Sequence, residues 1–80
     1  MQPEQIKQLI ETGLACEHVS VTGDGRHFEA VVVSNAFEGK RSLARHRMVY
    51  ATLGDRFDTE ELHALALKTL TSSEWQDRRA

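Results

Sequence analysis

The spacing of apolar positions switches between a helical and an alternating period along the chain, and each switch marks an element. Ile6, Leu9 and Ile10 recur at helical spacing behind Pro3, a residue suited to a first helical turn, and the pattern stops at Thr12-Gly13. Val19 and Val21 then alternate with His18, Ser20 and Thr22. Gly23-Asp24-Gly25 follows, and Phe28 to Ser34 resumes an apolar, β-rich run. This predicts a hairpin, with the glycines supplying positive φ at its connection. After Asn35 to Gly39 the period turns helical again. Ser42 is the expected N-cap, Leu43, His46, Tyr50 and Leu53 form one stripe with Val49 beside it, and Gly54 ends the helix. Asp58-Thr59-Glu60-Glu61 has room only for a turn or a single helical turn. From His63 to Leu70 the chain alternates once more, which places His63, Leu65, Leu67 and Thr69 on one face of a third strand. Thr71-Ser72-Ser73-Glu74 has the form of a capping box, with Thr71 at N-cap and Glu74 at N3. Leu70 and Trp75 stand where a hydrophobic staple would, so Trp75 is expected in the core. Arg78 and Arg79 then complement the helix dipole.

The resulting order is α-β-β-α-β-α, a single α+β domain over residues 1–80 with helices covering a small three-stranded mixed sheet. The long helical connection between the second and third strands predicts that they run parallel, while the hairpin pair is antiparallel. The second and third strands therefore start at the same end of the sheet. His27 opens one and His63 opens the other. Cys16 and His18 belong to the opposite end, about 15 to 20 Å away at roughly 3.3 Å per residue.

Composition narrows the classes of function. The 80 residues carry a formal net charge of −2, which gives no global attraction to nucleic acid or to an anionic membrane, so any such binding must be local. A single cysteine, Cys16, excludes an internal disulfide framework. Residues 1–20 lack the basic start and apolar stretch of a signal peptide, and the longest apolar run, Ala30 to Val33, is far too short to span a bilayer. A reducing, cytoplasmic setting without membrane attachment is expected.

Two groups of residues hold candidate chemistry. His27 with His63 offers two imidazoles at adjacent strand starts, a pair able to turn nitrogens toward a metal but incomplete as a site; the alternative is a pair of ordinary strand-end histidines. No Cys-x-x-Cys or His-x-x-x-His pair accompanies them. Lys40, Arg41, Arg45 and Arg47, four of the ten Lys and Arg residues, cluster with His46 and without an acid among them. They lie at a helix N-terminus, where cations oppose the dipole. That arrangement suits a surface for phosphate, a carboxylate ligand or an acidic partner, against the alternative of a solvated face whose arginine stems cover the core. Phe37-Glu38-Gly39-Lys40 is a structural turn anchored by Phe37, with Gly39 at positive φ. Cys16 has no activating partner at a motif spacing and reads as a half-buried apolar residue. There is no phosphate loop, carboxylate pair or triad, hence no case for an enzyme.

Taken together, "FEGKRSLARHRMVYATL", "HALALKTLTSSEW" and "VTGDGRHFEAVVVS" resemble the BolA-like family, in the short acidic branch that includes bacterial IbaG and eukaryotic cytosolic members. The resemblance runs from Ile6 to Arg79. It implies a class II KH-like fold and the role of an adaptor in iron-sulfur cluster assembly and trafficking. In that role the chain would pair with a monothiol glutaredoxin and share a [2Fe-2S] cluster, with a cysteine and a glutathione thiol from the partner's side. On this chain the implied ligands are His63 and, from the hairpin, His27. Imidazoles on one iron and thiolates on the other would resemble Rieske ligation, which raises the reduction potential. The resemblance also implies a second possibility, a DNA-binding, stress-responsive transcriptional regulator using Lys40, Arg41, Arg45, His46 and Arg47, with weak, salt-dependent affinity. Alone, the chain is expected to be a monomer or weak homodimer.

Overall fold

A computed structural model describes residues 2–24, 26–54 and 65–79. Helix α1 spans Pro3–Gly13, strands β1 and β2 span His18–Gly23 and Phe28–Val33, and a 3-10 turn at Asn35–Phe37 leads to α2 at Ser42–Leu53. Strand β3, Leu65–Leu70, runs into α3, Ser72–Arg79. The expected α+β order and mixed sheet are observed. The strand order is β1-β2-β3, with β1 antiparallel to β2 and β2 parallel to β3. The registers Gly23↔Phe28 and Phe28↔Leu65 place the start of β2 beside the start of β3. No helix among the described residues is long and apolar enough to cross a membrane.

One face of the sheet makes the core. Val19, Phe28, Ala30, Val32 and Leu65 are buried there against Ile6 and Ile10 of α1, Phe37 of the 3-10 turn, and Val49 and Leu53 of α2. Strand alternation sends Glu29, Ala66 and Lys68 to the opposite face, where they are exposed. Pro3 stands at the start of α1, and the Gln5 side chain accepts a hydrogen bond from the Gln2 N–H at 2.7 Å, which caps that helix. Gly39, at φ 73°, has the left-handed backbone expected of it and turns the chain from the buried Phe37 toward α2.

Four local expectations need correction. The N-cap of α2 is Arg41, with Ser42 already in the helix and no side chain capping the first turn. Leu43 is 64% exposed and lies off the buried stripe, because the inward position of that turn belongs to Arg45. The buried and half-buried positions of α2 are Arg45, His46, Met48, Val49, Tyr50, Thr52 and Leu53, and His46 meets Tyr50 edge-on with ring centroids 6.5 Å apart. Trp75 is half-buried and stacks on His18 at 4.8 Å and 18°, outside the core cluster. Gly23 belongs to β1 and has no positive φ. A Cβ there would stand 2.5 Å from the Phe28 ring and 2.6 Å from the His27 carbonyl oxygen, so glycine is needed for close approach.

Candidate functional site

The hairpin end of the sheet is built around Asp24. Its Oδ1 accepts hydrogen bonds from the main-chain N–H groups of Arg26 and His27, both at 2.9 Å, and the Asp24 N–H donates to the His27 carbonyl at 3.2 Å. These donors, His27 first, hold the Asp24 carboxyl below the usual carboxylate range. The His27 backbone is thereby pinned while the residue stays exposed at the rim where β3 also begins. His63, two positions before the first described residue of β3, lies outside the described residues. Among the described residues, no three His, Cys, Asp or Glu side chains gather to hold a metal ion. An exposed imidazole fits the donor chemistry of iron, but at His27 it can supply one ligand to a site whose others come from elsewhere.

The basic stretch divides into two parts. Lys40, Arg41 and Arg47 are exposed. Arg45 is turned inward, its side chain 13% exposed. Nε donates to the Lys40 carbonyl at 2.8 Å, and Nη1 donates to the Thr69 carbonyl at 3.1 Å and to Glu74 Oε1 at 2.8 Å. The guanidinium carbon lies 5.9 Å from the centroid of the Phe37 ring. Glu74 Oε1 also accepts from the Thr71 N–H at 2.8 Å, while the Glu74 N–H donates to Thr71 Oγ1 at 3.2 Å, completing the expected capping box. The Arg45 guanidinium, and after it the Thr71 N–H, hold the Glu74 carboxyl below its ordinary value. Arg45 therefore ties α2 to β3, to α3 and to the Phe37–Lys40 turn. The hint available in the sequence was a polar residue at the inward position of the first turn, facing an acid in a capping box.

Arg45 also fixes direction. It sits in the first turn of α2 and reaches Thr69, near the end of β3, so the N-terminus of α2 lies at the Val33/Leu70 end of the sheet. His27 lies at the other end of the sheet, about 15 to 20 Å away along the six-residue β2 at roughly 3.3 Å per residue. The structure thus separates two groups of candidate residues. The Val33/Leu70 end also holds Cys16, His18 and Trp75. Buried Ser34 donates to the Ala15 carbonyl at 2.6 Å and, through its main chain, to the Leu70 carbonyl at 2.9 Å, while Ser72 donates to Glu17. Burial, and secondarily Glu11, pushes the Cys16 thiol above its ordinary value, so it is poorly suited to act as a nucleophile.

Comparison with known proteins matches residues 1–74 to the model of a family described as BolA-like protein. A BolA homologue from Coxiella burnetii shares the fold with a TM-score of 0.82 and 49% identity, covering 95% of this chain and 97% of that one. The protein named DNA-binding transcriptional regulator BolA in Vibrio cholerae is 43% identical over 75 residues, 94% of this chain and 67% of that protein. The Escherichia coli protein named acid stress protein IbaG is 30% identical over 80 residues, 99% of this chain and 95% of that protein.

Proposed function

The chain belongs to the BolA-like family, and from that premise we propose that it is a non-enzymatic adaptor that pairs with a monothiol glutaredoxin and contributes His63 and His27 to a shared [2Fe-2S] cluster. The observation that carries this reading is the state of His27. Its main chain is held by Asp24, its side chain is exposed, and it stands at the sheet end where β3 begins, two positions after His63 in sequence. A rigid backbone under an open imidazole suits a ligand offered to a group held jointly with another protein. Bound there, the cluster would supply electron-accepting iron, and imidazole in place of thiolate would raise its potential. Cysteine and glutathione thiols on the partner's side would complete the ligand set, in keeping with the single, half-buried Cys16 of this chain.

The test mixes the protein with a monothiol glutaredoxin, glutathione, ferrous iron and sulfide without oxygen, and records visible absorption and circular dichroism. A heterodimer spectrum distinct from that of the glutaredoxin homodimer, lost in His63→Ala and altered in His27→Ala, is expected. Identical spectra for the wild type and both variants would refute the ligand assignment.

A second reading, sequence-independent contact with DNA, draws on the three exposed cations at the start of α2 and on the name of the Vibrio cholerae relative. Phosphates would meet Lys40, Arg41 and Arg47, with His46 half-buried behind them and Arg45 already engaged. It ranks second because an overall net charge of −2 opposes approach to a polyanion.

A further inference from the structure

Leu43 is the exposed large hydrophobic residue among those described, at 64% exposure. It lies in the first turn of α2, just after Lys40 and Arg41, and Arg47 follows at i+4, on the same helix face. No acid occurs from Lys40 to Leu53, and no side chain caps the first turn of the helix, so the positive end of the dipole adds to the three exposed cations. The fourth cation of the stretch, Arg45, is withdrawn into its bonds with Lys40, Thr69 and Glu74. The surface left is one apolar side chain with a cationic rim.

That anatomy discriminates between ligands. Phosphates of a nucleic acid would satisfy the rim and leave Leu43 in water. A protein presenting an apolar hollow bordered by carboxylates would satisfy both, with desolvation of the leucine at the centre and complementary charge at the edge. We infer that Leu43 is the apolar anchor of a docking surface, rimmed by Lys40, Arg41 and Arg47, for an acidic face of the protein partner. The inference rests on the adaptor reading and extends it. Docking through Leu43 takes place at the end of the sheet opposite His27, so affinity and cluster ligation are set at opposite ends of the molecule.

The experiment measures the affinity of the wild type and Leu43→Ser for a monothiol glutaredoxin, for a 20-base-pair DNA duplex at low salt, and the spectrum of the reconstituted complex at saturating protein. Because Leu43 is exposed, the substitution leaves the core intact, and a far-ultraviolet circular dichroism melt beside the wild type reports a folded chain. Loss of about tenfold or more in affinity for the glutaredoxin is expected, with unchanged duplex binding and an unchanged spectrum once saturated. Equal glutaredoxin affinity for wild type and variant would overturn the docking surface while leaving the adaptor reading standing. Weakened duplex binding with unchanged glutaredoxin binding would assign the surface to nucleic acid and also overturn it. A wild type that fails to bind the glutaredoxin would overturn both this inference and the reading on which it rests.

Discussion

At position 45, in the first turn of α2, the guanidinium meets two main-chain carbonyls, one carboxylate and the face of Phe37, all supplied by other segments. An ammonium on a flexible stem cannot reproduce that planar, multi-acceptor geometry, so arginine and lysine are not equivalent here. Removing the side chain deprives the part-buried Thr69 carbonyl of its charged donor and uncovers Phe37. Arg45→Ala is therefore expected to cost about 2 kcal/mol, which in a domain of this size lowers the melting temperature by roughly 10 °C, and Arg45→Lys to recover only part of it. Thermal melts followed by far-ultraviolet circular dichroism decide the matter. A variant melting with the wild type would mean that Arg45 is a solvated cation available to partners. The same geometry corrects the simplest view of the stretch from Lys40 to Arg47. Three of its cations face outward, and the fourth holds the fold together.

Among the elements, α3 has the most local definition in sequence and the most distant tethers in structure. Its capping box lies within four consecutive residues, which is why it was legible from Thr71 and Glu74 alone. What Glu74 and Trp75 do beyond the box was not legible, because Arg45 and His18 come from other elements: no local period relates a capping glutamate to an arginine 29 positions earlier. The pH consequence follows from Glu74. Its carboxyl is held below the ordinary range in the folded chain, so the folded state binds the proton less readily than the unfolded one. The stabilisation is complete above the unfolded carboxylate value and is lost as pH falls through the lower, folded value. Glu74→Gln keeps an acceptor for the Thr71 N–H but loses the charge facing Arg45. Urea denaturation at a series of pH values should show the wild type more stable than Glu74→Gln at neutral pH, with the difference closing as the solution is made acid. A difference that stays constant with pH would show that the charge contributes nothing.

Across the whole molecule, the element order and both strand pairings could be read from sequence because the hairpin and the long helical connection each allow few arrangements. The same topology places the start of α2 at the end of the sheet opposite His27, since the crossover leaves from the end of β2; the inward turn of Arg45 could not be read, because its acceptors on Thr69 and Glu74 belong to other elements. Leu43 was misassigned to the buried stripe for the same reason: hydropathy ranks leucine above arginine for an inward position, and only the acceptors on β3 and α3 reverse the order. The resulting charge map has a measurable consequence. Of the four cations between Lys40 and Arg47, three are exposed, on a chain whose net charge is −2. If this end of the molecule is what a duplex touches, the chain neutralises about three phosphates, and the logarithm of the binding constant should fall with the logarithm of salt concentration at a slope near −3. Fluorescence anisotropy of a labelled duplex between low and physiological salt measures it directly. A slope near −4 would require Arg45 to leave Glu74 on binding, which Glu74→Gln would then make easier. A slope well below three would mean that the rim around Leu43 makes little contact with phosphate, as expected of a surface shaped for a protein.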